Sequence, residues 1–317
     1  MKVRLCYHDR CFDGASSAAV FERFYRVHIR ADVTFHYRGL AHRAGGLFDA
    51  DLFDGDENVI VDFKYSTSPR LTWWFDHHQS AFLSPEDTEH FQRDSSGRKF
   101  FDPSFKSCTK FIASVARERF AFDPEPLAEL IEWADIIDGA QYASPRAAVE
   151  MEAPAQQIAL VLEAGPDDSF SAWLIPQLAT RPLGEIARKP EIAAHFSQLF
   201  RQHRDSIATV QKHAEHAGGV VYLDLMDEGL EAFNKFIPYY LFPDSAYSIG
   251  LSRSAERVKI AVGSNPWSEA SREKNLASIC ERYGGGGHPR VAAISFEPGQ
   301  AEAARKAARE IAAELRR

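Results

Sequence analysis

The feature that most restricts the fold of this chain is a set of short stretches near its start that are apolar without alternation. Val59-Ile60-Val61 and Thr72-Trp73-Trp74-Phe75 are continuous, and Val3-Arg4-Leu5-Cys6-Tyr7 nearly so. A strand with one wet face alternates apolar and polar residues, whereas a strand covered on both faces does not, and the latter is the situation of a parallel sheet flanked by helices. Helical periodicity follows at about 15–27, 107–120 and 126–137. Strand and helix signals therefore alternate, and an α/β domain with a mostly parallel sheet is expected. The polar stretch at about 84–104 is expected to be an excursion on its surface.

A second series of signals starts at Val220. Strands are expected at 220–223, 247–251, 258–262 and 291–296, with helices at 272–283 and from about 300. In between, residues 191–217 carry a long helical pattern that ends at Gly218-Gly219, where helices tend to stop. At 317 residues the chain exceeds the usual span of one core. We therefore expect an N-terminal domain over 1–190, a connector helix over 191–217 and a smaller α/β domain over 218–317. No apolar run reaches the roughly 20 residues that span a bilayer, and the first residues lack a signal peptide's apolar stretch. These features point to a cytoplasmic protein without a membrane partner. The four cysteines, Cys6, Cys11, Cys108 and Cys280, are scattered and read as reduced thiols. A formal charge of −8 argues against a protein that coats long duplex nucleic acid. It leaves small anionic substrates open, because ions and a few arginines can make one site locally positive.

Each apolar run ends in groups able to hold a cation. Asp76-His77-His78 follows the third run, Asp62 ends the second, and His8, Asp9, Cys11 and Asp13 follow the first, with Gly14 beside them. An Asp-His-His triplet is expected by chance about 0.03 times in a chain of this composition, so coincidence is disfavoured. The plainer readings are a helix N-cap for Asp13 and a strand-end turn for Asp62. Their recurrence at the carboxyl ends of strands, where open α/β sheets bind ligands, favours a shared site. Carboxylates gathered in one cleft repel unless cations neutralise them, and mixed imidazole and carboxylate donors suit Mn²⁺ and similar ions. Asp135 and Asp138, one helical turn apart, are further candidates. Asp135 is preferred because apolar residues flank it. In the second domain Gly284-Gly285-Gly286-Gly287-His288 is expected by chance only about 0.0002 times. Such a run frees successive backbone N–H groups to cradle phosphate oxygens, with His288 as a donor and Arg290 and Arg253 as charges.

Taken in this order, Asp13-Gly14, Asp62, Asp76-His77-His78, Asp135 and Gly284–His288 resemble the motifs of the DHH phosphoesterase superfamily with its DHH-associated C-terminal domain. Ser107-Cys108 resembles that family's segment between the third and fourth motifs. The resemblance spans nearly the whole chain. It implies a C-terminal domain closing over a cleft in the first, and Mn²⁺-favoured hydrolysis of phosphoester or phosphoanhydride bonds, with Mg²⁺ or Co²⁺ as substitutes. Asp62 would bridge two ions. Asp13, His77 and Asp135 would bind one of them, and His8 or Asp9, with Cys11, the other. Asp76 would orient a histidine and His78 would meet the reacting phosphoryl group. Gly285, Gly286, Gly287, His288, Arg253 and Arg290 would hold a neighbouring phosphate. One departure stands out: Cys11 occupies the position of an aspartate ligand in many relatives, which puts a full two-ion centre in question.

The charge and the missing basic arm favour short oligonucleotides or a dinucleotide as substrate. A nucleotide 3′-phosphatase and a pyrophosphatase are the alternatives within the class, and a nucleotide-binding regulatory protein with a degraded metal centre is the rival outside it. A monomer and a homodimer are both compatible with the sequence.

Overall fold

In the computed structural model the apolar runs are the inner strands of a five-stranded, all-parallel sheet. The structure describes residues 1–41, 47–49, 51–167, 169–272 and 274–316. The sheet is built from β1 (Lys2–His8), β2 (Thr34–Leu40), β3 (Glu57–Val61), β4 (Trp73–Asp76) and β5 (Lys99–Phe101). Their spatial order is β2-β1-β3-β4-β5. Helices α1 (Phe12–His28), α2 (Pro85–Gln92), α3 (Cys108–Phe120) and α4 (Ala128–Asp138) belong to the same unit.

Successive aromatic residues of β4 explain why its sequence does not alternate. Trp73 and Phe75 meet Phe21 of α1 at ring-centroid distances of 5.7 and 5.9 Å. Trp74, between them, points the other way onto Tyr65 at 4.7 Å and Phe91 of α2 at 5.3 Å. Both faces of the strand are therefore filled by large rings. The polar stretch from 84 contains α2 and β5 rather than irregular chain. Ser84 caps α2 by accepting a hydrogen bond from the Asp87 amide, and Pro85 opens the helix. Phe91 and Phe101 anchor both elements to Trp74.

The chain divides into two compact units, 1–141 with 152–197 and 142–151 with 198–317. The first is completed by α6 (Pro154–Ala164), α7 (Phe170–Leu178) and α8 (Leu183–Ala187), while the short α5 (Pro145–Val149) belongs to the second. Helix α9 (Pro190–His213) contains the division. It stops short of the expected 217, because residues 214–217 form β6 (Ala214–Ala217). β6 pairs antiparallel with β7 (Val220–Asp224), Ala217 opposite Val220. Gly218 and Gly219, at φ +55° and +73°, are thus the two central residues of a hairpin turn and not a helix stop.

The second unit carries a mixed six-stranded sheet in the order β10-β11-β9-β8-β7-β6. Its further elements are α10 (Ile237–Leu241), β8 (Tyr247–Arg253), β9 (Val258–Ser264), α11 (Leu276–Glu281), β10 (Gly286–His288), β11 (Val291–Phe296) and α12 (Ala301–Leu315). Ile249, Ile260 and Ile294 of the sheet share a core with Leu276 of α11 and Ile311 of α12. No helix among the described residues is long and apolar enough to cross a membrane.

Candidate metal centre

Strand register assembles the site. Tyr7 lies opposite Val61, and Val61 opposite Phe75, so the next residues of β1, β3 and β4 (His8, Asp62 and Asp76) emerge in one row at the carboxyl edge of the sheet. The chain leaves β1 toward β2 on one side, while β3 lies on the other. This change of direction opens a crevice of the kind where α/β sheets take ligands. Asp62 adopts φ +56°, a left-handed conformation uncommon outside glycine but tolerated by Asp, and its amide donates to the Phe75 carbonyl at 2.9 Å. Gly14 lets α1 begin directly against the end of β1, since a Cβ there would lie 2.1 Å from the His8 carbonyl oxygen.

At the centre stands Asp62, 1% exposed, with neither oxygen accepting a hydrogen bond among the described residues. Three imidazoles surround it: His77 Nε2 at 3.4 Å, His8 Nδ1 at 3.5 Å and His78 Nδ1 at 3.8 Å. Burial alone would raise the Asp62 pKa, but His77 and His8 outweigh it and bring it down to about 2. His77 Nε2 also faces Asp13 at 3.7 Å and Asp138 at 3.6 Å, again without a hydrogen bond among the described residues. Its Nδ1 lies 3.1 Å from the Phe105 carbonyl, to which it donates, so Nε2 is left to face the carboxylates. Burial pulls the His77 pKa down, yet Asp62 and Asp13 overcome that and raise it to about 10. Asp13 and Asp138 are pushed up, by burial first and by Asp62 next. Carboxylates that resist ionising and an imidazole that holds its proton mark a centre short of positive charge, the deficit a divalent cation removes.

Two supports fix this arrangement. Asp13 accepts from the Cys108 and Thr109 amides at 2.7 and 3.0 Å, which ties it to the positive end of α3, and it does not cap its own helix. Asp76, fully buried, accepts at one oxygen from the His77 and His78 amides (2.8 and 3.2 Å) and from His78 Nδ1 at 2.7 Å. That oxygen therefore orients the triplet, while the other is buried without a hydrogen-bond partner among the described residues.

Three groups of side chains have donor atoms all within 4.8 Å of one another: His8, Cys11 and Asp62; Asp62, His77 and His78; and Asp13, His77 and Asp138. The orphaned oxygens of Asp62 and the free Nε2 of His77 fit a bound cation. Two expected ligands stand apart. Asp135 is turned to Lys110 Nζ at 2.6 Å and Ser107 Oγ at 3.2 Å, so its charge is already neutralised, and it is Asp138 whose oxygen lies in a donor group. The sequence hid this because Lys110 is distant in the chain. Asp9 accepts from Ser171 at 3.3 Å and falls in none of the three groups.

In the second unit the glycine run is part of a hairpin, not a bare loop. Gly286–His288 pair with β11, and Cβ atoms at Gly285 and Gly287 would lie 2.3 Å from the Ala293 and 2.5 Å from the Val291 carbonyl oxygens. Close strand approach accounts for those two glycines. Gly284 and Gly286 have open space beside them. His288 is exposed, and Arg253 Nη1 lies 3.7 Å from Asp227.

No protein-family model matches the sequence, and no curated protein matches it. Among solved structures the chain is similar to the pGpG-specific phosphodiesterase PggH from Vibrio cholerae, with 21% identity over 99% of both chains and a TM-score of 0.69. It is also similar to the DHH domain of a member of the S1p family of ribosomal proteins, with 13% identity over 98% of this chain and 86% of the other, and a TM-score of 0.56. The architecture is thus of the DHH type, a parallel five-stranded unit followed by a mixed-sheet unit.

Proposed function

We propose that the protein is a metal-dependent phosphodiesterase acting on short oligonucleotides or dinucleotides. The observation that carries this reading is the buried, unpartnered carboxylate of Asp62, which belongs to two of three overlapping donor groups. Asp13, Asp62, His77 and Asp138 would hold one divalent ion, and His8, Cys11 and Asp62 a second. Such ions, Mn²⁺ first among them, polarise a phosphoryl oxygen and activate water for in-line attack.

The chain's own residues do the rest. Asp62 and Asp13 supply negative charge that holds cations where the phosphate arrives. Asp76 holds the His78 imidazole by Nδ1 so that Nε2 can donate to the phosphoryl oxygen on which charge develops. Phe105 holds His77 in the tautomer that offers Nε2 to an ion. Gly286, His288, Arg253 and Arg290 would bind a second phosphate. The dinucleotide in the name of the Vibrio cholerae protein with this fold supports a short substrate, as does the net charge of −8.

The test is hydrolysis of dinucleotides, short RNA, bis-p-nitrophenyl phosphate, pyrophosphate and polyphosphate with Mn²⁺, Mg²⁺ or Co²⁺. Cleavage should be confined to the short diesters, stop with chelator and disappear in Asp62→Asn, while His288→Ala should keep its metal and raise KM. Tight nucleotide binding without turnover under every ion would refute the proposal.

A further inference from the structure

We propose that Cys11 is a metal ligand, and that with His8 and Asp62 it makes one ion position selective for a borderline-soft cation, Zn²⁺ or Co²⁺, over Mn²⁺ and Mg²⁺. The inference deepens the phosphodiesterase reading and rests on it for the purpose of the site.

The donor atoms of His8, Cys11 and Asp62 lie within 4.8 Å of one another. Ligand atoms around a tetrahedral ion with bonds of about 2.0–2.3 Å are roughly 3.3–3.8 Å apart, so the three can close on an ion through small side-chain rotations. Cys11 is at the N-cap position of α1, yet its side chain makes no capping hydrogen bond. Burial beside the Asp62 and Asp13 carboxylates raises the pKa of the thiol, so an ion bound there would itself displace the proton, as metal thiolates generally require. The independent sign of a ligand is Asp62, whose buried oxygens accept no hydrogen bond among the described residues and which belongs to this group as well as to the one with His77 and His78.

The two ends of the centre differ in chemistry. Asp13, His77 and Asp138 offer two carboxylates and an imidazole, a set suited to Mn²⁺ or Mg²⁺. His8, Cys11 and Asp62 offer one nitrogen, one sulfur and one oxygen, and a thiolate discriminates against hard ions. Among the described residues, Cys6, Cys108 and Cys280 fall in no donor group, and all three are buried.

The full-length protein, stripped with chelator, is titrated with Co²⁺ and followed by near-ultraviolet absorption, where a thiolate ligand gives a sulfur-to-cobalt charge-transfer band. Zn²⁺ and Mn²⁺ are then offered together and the bound metals counted by elemental analysis. The native protein should show the band, and Cys11→Asp and Cys11→Ser should lose it. Cys11→Asp should move the Zn²⁺:Mn²⁺ preference toward Mn²⁺ by tenfold or more. As a measurement that needs no variant, Zn²⁺ should slow alkylation of Cys11, read by mass spectrometry, and Mg²⁺ should not. A native protein without the band, or equal protection by both ions, overturns the inference. An intact band without hydrolysis under any ion refutes the phosphodiesterase reading alone, and hydrolysis without the band refutes the thiolate ligand alone.

Discussion

If the proposed centre holds a cation, His77 should make its affinity a steep function of pH. Its Nε2 faces Asp62, Asp13 and Asp138, and without a cation the imidazole keeps its proton up to a pKa of about 10. A cation and that proton compete for one lone pair. At pH 7 the site lies about three units below that pKa, so displacing the proton costs roughly 4 kcal/mol, a thousandfold loss of apparent affinity. Affinity should therefore rise at least about tenfold per pH unit from 6 to 9, with one or more protons released per ion bound, since Asp13 and Asp138 are also pushed toward their protonated forms. Calorimetric titration with Mn²⁺ in buffers of different ionisation enthalpy counts that proton directly. The sign reverses for the metal-free fold. A group whose pKa is raised on folding contributes stability that is complete below its unfolded value, near 6.5, and is lost as pH rises through about 10. Metal-free protein should therefore weaken toward alkaline pH, by up to a few kcal/mol, while added Mn²⁺ protects it increasingly. Affinity that stays flat from pH 6 to 9 without proton release would sink the reasoning.

Two substitutions separate neighbouring roles on α4. Asp138→Asn should lower metal affinity at least tenfold, whereas Asp135→Asn should change it less than threefold and cost no more than about 1 kcal/mol in denaturant unfolding, because Lys110 is half exposed. On the glycine run, Gly287→Ala forces a Cβ to within 2.5 Å of a carbonyl at φ +147° and should lower Tm by roughly 5 °C or more. Gly286→Ala meets open space and should leave Tm unchanged, so any loss of substrate affinity in that variant isolates a binding role from packing.

The parallel sheet was legible because Trp73, Trp74 and Phe75 have to be buried on both sides, and burial of consecutive large residues leaves few architectures. The cluster was legible because Asp62 and Asp76-His77-His78 directly follow such strands. β2 was harder to read: Thr34–Leu40 is an edge strand whose buried Phe35 and Leu40 are interrupted by polar residues. The Ser84-Pro85-Glu86-Asp87 start of α2 is a readable cap, but the polar stretch around it offers little apolar periodicity, with Phe91 as its main anchor. The different surroundings of Asp135 and Asp138 could not be read from helical spacing, since the Lys110 ammonium on α3 is what engages Asp135. The contribution of the Phe105 carbonyl was equally invisible, because a backbone oxygen has no residue signature.

The alignment of His8, Asp62 and Asp76 along one edge gives the centre a particular vulnerability. Side chains alternate faces along a strand, so if β3 slid by a single residue between its neighbours, Val61 would occupy the place of Asp62 and a methyl-bearing side chain would meet the imidazoles. The pairing pattern that makes the hydrophobic interior is thus also the ruler that spaces the candidate ligands. A strand mispaired during folding would yield a molecule with much of its secondary structure and no capacity to retain a cation.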